Sequence, residues 1–567
     1  MRTLHLAAAA TILLAAGAAH AEASEAQYRG CDGYGAAGSY GDGMLQHPSG
    51  WAHLFVDRPL PANNRYTPHY GGLGMNDCDA ALAALPAQHW MRKVSLLSAR
   101  ALHRIEVYGD AKGALADLDL AGEAAAAHGN GDAYYQRSLG WSLKVLRAYA
   151  LRLSGNQAEA TAMALAALAE RPYNREAAFV VLQAMGPKAD DAAIHQVQES
   201  LARLIPSHSV TLFERAFETG KFAEAVDLCS QLTPSQELGI VNASEGQQAN
   251  LDWRNLRRAA LFRASTGVAC SYALAALGRN AEARARLAET RTTLAADTAP
   301  PPPLSAKEMK DREKVSLHDG DVDIRQRSAA EGSKIIDQWA EYIDLRLKVN
   351  DGKADEVLAA LKTVKLPRSW ATVDLLEALA AKLPKAKQAL VPSPQDLRLE
   401  LGRTREDVKE GKPADFFRDL PEVETADRLS AYAEQNWVDR LMWGGPNKGF
   451  KVEEAAGFTP VHYSGGGATT SATVEEMALL RAAELARAAG KKGVIVVKRM
   501  DVERSMTLYS YGTALNTTPT GFETELDVIF VDPANLPEAY ETAPWRVFDA
   551  DQVYAALAPF YIKPAKK

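Results

Sequence analysis

Apolar residues recur at spacings of three and four along most of the chain between about residues 90 and 385. This spacing is typical of helices that bury one face. Two later stretches, GVIVVKRMDVE and FETELDVIFVDP, are instead rich in β-branched residues and predict strands. The pattern therefore predicts a mainly α protein that ends in a small α+β domain.

Residues 456–567 are expected to form this α+β domain. A capping box from Thr473 to Glu476 predicts the start of a helix that ends at Gly490. The stretch RSMTLYSYGTAL predicts a third strand, and DADQVYAALAPFYI predicts a final helix. Residues 386–455 contain frequent Pro and Gly and are expected to be connecting helices and loops.

A short phrase, Gly-x-x-Ala-Glu-Ala or a close variant, recurs within the helical part and is followed each time by an apolar stretch. Each copy predicts a turn between two antiparallel helices, in which the glycine ends the first helix in the left-handed conformation. A small residue then opens the second helix, where the two backbones approach closely. The glycines are Gly109, Gly155, Gly220, Gly278 and Gly352, and the anchor residues of the second helices are Ala114, Ala160, Ala225, Ala283 and Val357.

This arrangement resembles the tetratricopeptide repeat family, whose second helix carries small residues and a proline at these offsets. The stretch from Ala160 to Pro172 matches most closely, and Ala148 and Ser271 supply small residues where the family's first helix has them. The anchors do not follow the family period of roughly 34 residues, so we expect a further pair over residues 174–206. The resemblance implies a solenoid of helix pairs over residues 87–385, with a concave face that binds proteins or peptides.

Four consecutive prolines, Pro300 to Pro303, predict a linker or exposed insertion near residues 297–328, after which helices resume at Ala329. Within it, DGDVD from Asp319 to Asp323 is similar to the opening of a calcium-binding loop. The glycine and the bidentate glutamate that such a loop requires are missing. A solvated acidic turn is the preferred interpretation.

Residues 1–21 have the features of a secretory signal peptide. Arg2 precedes an apolar centre from Leu6 to Ala19, and Ala19 and Ala21 form an Ala-x-Ala cleavage site. We expect cleavage after Ala21 and export to the bacterial periplasm or beyond. A membrane anchor is less favoured, because the apolar run is shorter than the roughly 20 residues that a bilayer requires. No later stretch is long and apolar enough to predict a transmembrane segment.

Export makes disulfide formation expected where the geometry allows it. Cys31 and Cys78 flank most of a Gly- and Tyr-rich segment, residues 22–86, which should be mostly loops with short turns of helix. We predict that they pair, which would contribute about 4 kcal/mol in the chain-entropy treatment. Cys229 and Cys270 occupy interior positions of the repeats and are interpreted as small packing residues, which could come into contact if the two helix pairs stack directly.

Two further patterns were weighed as ligand sites. His47, His53 and His69 lie near several aspartates (Asp57, Asp77 and Asp79), a combination that can bind zinc, but without the close spacing of a zinc motif. The glycines of YSGGGATTSAT, from Tyr463, precede a helix and could hold an anion, but no P-loop lysine follows. Loop histidines and a flexible connection are the preferred interpretations, so we predict neither a metal nor a cofactor.

The formal net charge of -7 and the absence of a basic cluster argue against a nucleic-acid partner. No catalytic motif is recognisable, and the sequence favours binding over catalysis. We therefore expect a periplasmic scaffold that binds a protein or peptide partner, mainly through the repeats. The alternative is an envelope enzyme with a site in the N-terminal Gly/Tyr-rich segment or in the C-terminal α+β domain. The repeats are also expected to fold in a chain that ends near Leu383.

Overall fold

The structure is a computed structural model that describes residues 23–37, 42–46, 60–61, 68–69, 72–232, 245–403, 408, 410–421, 432–435, 448–466, 469–510 and 513–562. It is mostly helical, with a small antiparallel sheet near the C-terminus, and the predicted fold class is confirmed. The signal peptide predicted over residues 1–21 lies outside the described residues, as do His47, His53 and Asp57. Among the described residues, no helix is long and apolar enough to cross a membrane.

Before residue 205, the described residues form two short paired strands and nine helices. The strands are β1 (Leu45–Gln46) and β2 (Leu60–Pro61). The helices are α1 (Glu25–Asp32), α2 (Gly72–Ala84), α3 (Trp90–Tyr108), α4 (Ala111–Ala126), α5 (Ala133–Arg137), α6 (Leu139–Leu153), α7 (Gln157–Glu170), α8 (Arg175–Met185) and α9 (Asp191–Leu204).

The middle of the chain is helical, and the last part combines helices with a sheet. The helices from residue 205 to 419 are α10 (Ser209–Glu218), α11 (Phe222–Leu228), α12 (Glu245–Ala276), α13 (Asn280–Asp297), α14 (Arg312–Asn350), α15 (Ala354–Ala360), α16 (Trp370–Lys382), α17 (Lys385–Gln388), α18 (Pro394–Arg403) and α19 (Pro413–Asp419). The remaining elements are β3 (Gly449–Val452), β4 (Thr459–Ser464), α20 (Ser471–Ala488), β5 (Gly493–Ser510), β6 (Thr513–Val531), β7 (Phe548–Asp549) and α21 (Ala550–Tyr561).

The five predicted turns are all present as helix–turn–helix connections, and their glycines have φ values between 61° and 92°. A side chain would be strained in this conformation, which is why glycine occupies it. The anchor residues of the second helices are fully buried. The pair expected over residues 174–206 is also present, as α8 and α9. Small anchors therefore let paired helices pack closely, as the recurring phrase indicates.

Helix α14 begins at Arg312, so the prediction that helices resume only at Ala329 is wrong. The side chain of Asp311 caps it by accepting a hydrogen bond from the backbone N–H of Glu313, at 3.0 Å. The acidic stretch DGDVD lies inside this helix rather than in a turn. Its carboxylates form pairs with arginines four residues later, such as Asp321 with Arg325. Such spacing stabilises an exposed helix.

The described residues group into two compact units. Unit 1 contains those of Met1–Leu204, Val408–Phe530 and Phe548–Lys567, and unit 2 contains those of Ile205–Asp407 and Val531–Val547. Compact packing thus places the first helix pairs in the same unit as most of the C-terminal α+β region. The segment boundaries expected from composition remain predictions.

In unit 1, the sheet has the strand order β3-β4-β6-β5-β7. Strand β5 is 18 residues long, so most of the predicted third strand continues the first predicted strand rather than standing alone. Helix α20 packs against β4, β5 and α21. Its N-cap is Thr470, whose side chain accepts a hydrogen bond from the N–H of Thr473. The predicted capping box of Thr473 and Glu476 is therefore wrong, and both residues lie within the helix.

In unit 2, the segment Val531–Val547 packs against α10, α11 and the turn that follows α11. Arg546, which is 1% exposed, donates a hydrogen bond to Ser209 Oγ at 3.0 Å. The Thr542 hydroxyl donates to the backbone oxygen of Asp227, also at 3.0 Å. A short stretch near the C-terminus thus supplies part of the packing of this unit.

Both cysteine pairs form disulfides. Cys31 in α1 is bonded to Cys78 in α2, which confirms the predicted pair. Their Cα atoms are 4.6 Å apart. Cys229 and Cys270 are also bonded, so their interpretation as free packing residues is wrong. Cys229 lies in a 3-10 turn that packs against α12, and the two Cα atoms are 6.1 Å apart, within the range that a disulfide spans.

Candidate functional site

A buried group of charged residues lies where the first helix pairs of unit 1 pack against α20 and α21. We call Glu476, Arg137, Arg171 and Tyr561 the Glu476 cluster. Arg137 ends α5, Arg171 follows α7, and Tyr561 ends α21. Glu476 is 0% exposed and Arg171 is 2% exposed. Charged side chains are rarely buried to this degree unless they are paired.

Every oxygen of the Glu476 carboxylate has a donor. Oε2 accepts hydrogen bonds from Arg137 Nη2 and from the Tyr561 hydroxyl. Oε1 accepts from Arg171 Nη2 at 3.2 Å. Arg171 also donates to the backbone oxygen of Arg137 at 2.7 Å, which ties the two arginines together. The cluster therefore holds α5 and the end of α7 to α20 and α21.

Burial by itself would raise the pKa of Glu476, because it removes water from the ionised form. The guanidinium groups of Arg137 and Arg171, together with the hydrogen bond from Tyr561, outweigh this and hold the pKa below its ordinary value. Glu476 is therefore ionised at neutral pH. Removing one partner of such a buried ion pair typically costs about 3–5 kcal/mol.

A cavity of about 360 Å³ lies beside the cluster and is lined by Arg137, Arg171 and Glu476. The guanidinium group of Arg137 stacks over Phe560, with Cζ 4.2 Å from the ring centroid. Most of the remaining wall is apolar or aromatic: Trp141, Pro172, Tyr173, Ala556, Leu557 and Phe560. This volume suits one large side chain or one small organic molecule.

A second buried cluster begins at the preceding residue of α20. We call Glu475, Arg175, Arg499 and Asp501 the Glu475 cluster. Glu475 Oε1 lies 2.6 Å from both Arg175 Nε and Arg499 Nη2. Both arginines also contact Asp501, with Arg499 Nε 2.8 Å from its Oδ2. Two guanidinium groups are thus shared between two carboxylates.

The pKa values of Glu475 and Asp501 shift in opposite directions. Burial raises the pKa of Glu475 to about 7, although Arg499 and Arg175 oppose the change. Asp501 is less buried, and although burial would raise its pKa, Arg499 and Arg175 hold it below the ordinary value. The Thr524 hydroxyl donates a further hydrogen bond to Asp501 at 2.8 Å.

A third polar group lies on the sheet, around Glu523 of β6. His462 Nε2 is 3.3 Å from Glu523 Oε2, and the Ser464 hydroxyl donates to Oε1 at 3.1 Å. Arg504 Nε is 3.0 Å from the same carboxylate. Hydrogen bonding from His462 lowers the pKa of Glu523 despite its partial burial, and Arg504 adds to this. Serine and histidine both bond to the carboxylate, whereas an activated serine needs a base at its own hydroxyl.

The residues weighed for zinc do not converge where they are described. His69 Nδ1 is 2.8 Å from Asp77 Oδ2, while Asp79 pairs with Arg100. The described parts of the chain contain no group of three or more His, Cys, Asp or Glu side chains that could hold a metal ion.

The glycine stretch after Tyr463 leads from β4 towards α20. The N–H of Gly465 donates to the backbone oxygen of Phe522 at 2.9 Å. The carbonyl of Gly465 accepts a hydrogen bond from Arg504. The third glycine, Gly467, lies outside the described residues.

Sequence reasoning missed both buried clusters. The sequence predicts Glu476 in a capping box, which would place it on the surface at the helix N-terminus. One signal was available: the run VEEMALLRAAELA is apolar on most sides, which is typical of a buried helix, and Glu475 and Glu476 stand inside it. Buried carboxylates require cations, but only the tertiary structure shows which arginines supply them.

No protein-family model, no curated protein and no solved structure matches this chain.

Proposed function

We propose that this protein is an exported helical-repeat scaffold that binds a protein or peptide partner in the bacterial periplasm. The observation that carries the proposal is the cavity of about 360 Å³ in unit 1. Residues of α5 and α6 and of the turn after α7 form one part of its wall, and α21 forms another. Helix-pair repeats typically bind their partners through surfaces that the stacked pairs create.

Two other observations support the proposal. The turns between paired helices follow one regular geometry, which agrees with the resemblance to tetratricopeptide repeats. The two disulfides are typical of proteins that reside in an oxidising compartment. The expected signal peptide would direct the chain there.

The second candidate function is an envelope enzyme with a site in the C-terminal region. The observation behind it is the grouping of Ser464 and His462 around Glu523, since these residue types recur in hydrolytic sites, even though the serine donates to the carboxylate and not to the histidine. In that case, Glu523→Gln would abolish an activity. The scaffold proposal expects the same variant to retain full binding.

Site-specific photo-crosslinking tests the scaffold proposal. A photoreactive amino acid replaces Ala133, which is exposed and lines the cavity, and the full chain is expressed in the periplasm. The matched control carries the same group at Ala288, an exposed residue of α13 in unit 2. We expect one recurrent polypeptide product at Ala133, which rebinds the purified protein at one-to-one stoichiometry. Equal or absent products at the two positions would contradict the proposal.

A further inference from the structure

We propose that the cavity beside the Glu476 cluster binds a carboxylate attached to an apolar or aromatic group, as found at the free C-terminal end of a peptide. The inference rests on the proposed function and specifies which part of a partner the cavity would hold. A free carboxylic acid of similar size carries the same chemistry, and the experiment below separates the two sources.

The apolar part of such a ligand would meet a matching wall. Trp141 is fully buried, and its indole N–H donates to the backbone oxygen of Ala167 at 2.8 Å. The indole nitrogen is therefore satisfied within the protein. Leu557 and Phe560 of α21 complete this side of the cavity. Burying a large apolar side chain against such a wall is favourable, because it removes apolar surface from water.

The charges around the cavity favour an anion over a cation. Two guanidinium groups, of Arg137 and Arg171, face the single carboxylate of Glu476. The other carboxylate of the lining, Glu170, is held by Lys144 Nζ at 2.6 Å and 2.7 Å. A guanidinium group has five N–H donors in a planar fork, so it can bond two carboxylates at once. An ammonium ligand would instead meet two guanidinium groups and one carboxylate of the cluster, which leaves a net positive charge beside it.

The cavity is also open to solvent. Ala133 and Ala556 both line it and are both exposed to solvent. Small side chains at these two positions leave the opening clear. A large residue at position 556 would fill the opening without disturbing the buried charges.

Isothermal titration calorimetry of the full chain tests the inference with defined probes. The probes are N-acetylphenylalanine, N-acetylphenylalanine amide, and the peptide acetyl-Ala-Ala-Phe with either a free or an amidated C-terminus. We expect both acids to bind and both amides to bind at least ten-fold more weakly. Equal affinity of acid and amide, or no binding of any acid, would overturn the inference.

Two variants test whether the acids bind in this cavity. Ala556→Trp should weaken binding of the acids at least ten-fold. Ala555→Trp, at a neighbouring exposed position that does not line the cavity, should leave binding unchanged. If the two variants behave alike, the ligand binds elsewhere and the inference is wrong. Circular dichroism of both variants confirms that they remain folded.

The comparison of the two acids shows whether the bound carboxylate comes from a peptide C-terminus or from a small free acid. Tighter binding of the peptide acid than of N-acetylphenylalanine supports a chain end, whereas equal or weaker binding supports a small free acid. The crosslinking experiment at Ala133 stands apart from this titration. If a partner is crosslinked but no acid binds, the inference is wrong and the proposed scaffold function stands. If an acid binds but no partner is crosslinked, the scaffold function is wrong and the cavity is a site for a carboxylic acid.

Discussion

Glu475 and Glu476 are neighbours in α20, and both are buried, but the charges around them differ. Glu476 has two arginines and a tyrosine hydroxyl for one carboxylate. Glu475 shares its two arginines with Asp501. Burial acts on both carboxylates, and the two arginines together with the Tyr561 hydroxyl outweigh it at Glu476, whereas Arg499 and Arg175 do not outweigh it at Glu475. Burial alone does not account for the difference, because it is nearly complete in both cases.

The largest expected effect comes from Glu476→Gln. The amide retains the shape of the side chain but removes the negative charge opposite Arg137 and Arg171. We expect a loss of about 3–5 kcal/mol in the stability of unit 1, measured by hydrogen exchange in α20. Glu475→Gln at pH 7 is the matched control and should leave stability unchanged or raise it, because burial raises the pKa of Glu475 and so disfavours its ionised form in the folded protein. Equal losses in the two variants would show that the clusters do not differ.

The second effect is a pH dependence that Glu475 causes. Its pKa in the folded protein is about 7, above the ordinary value of 4.5. The stability that this group contributes is therefore fully present below pH 4.5 and is lost as the pH rises to about 7. The total change is at most about 3 kcal/mol.

Thermal unfolding of the natural protein and of Glu475→Gln measures this change. The difference in stability between them should shift in favour of the variant as the pH rises from 4.5 to 7. Glu476 and Asp501 have lowered pKa values and act in the opposite sense, so both proteins should lose stability in stronger acid. A constant difference across this range would contradict the assignment of a raised pKa to Glu475.

Tyr561→Phe should have a smaller effect. It removes the hydroxyl that donates to Glu476 and leaves the ring in place. We expect a loss of about 2 kcal/mol, because a hydrogen bond to a charged group contributes more than a neutral one. Tyr554→Phe in the same helix is the control, because the ring that contacts Arg487 is retained. Denaturant titration of the two variants would reveal the difference, and equal midpoints would count against it.

The smallest effect tests the sharing of arginines directly. Asp501→Asn removes the competing carboxylate, so Arg175 and Arg499 then form ion pairs with Glu475 alone. The pKa of Glu475 should fall by roughly one unit, which corresponds to about 1.4 kcal/mol. The pH range over which stability changes would shift downwards by the same amount. An unchanged range would mean that burial, rather than competition, controls this group.

Much of the local structure could be predicted from the sequence. The left-handed glycines, the small anchors and the strand and helix types depend on residues close together in the chain, and they were found where expected. The start of α14 was missed, because its first turns are charged and have no apolar stripe. The Cys229–Cys270 bond was missed because the positions of the two cysteines relative to each other depend on how α11 and α12 pack.

Only the tertiary structure decided how the pieces of the chain combine. Arg137 and Arg171 precede Glu476 by more than 300 residues in the sequence. No local pattern links them, since an ion pair depends on distance in space and on the exclusion of water. A chain that ends near Leu383 would leave both arginines without Glu476, so the expectation that the repeats fold in such a chain is not supported for unit 1. Sequence alone determined which helices form and which faces they bury, whereas the buried charges, the cavity and the grouping into two units required contacts between distant segments.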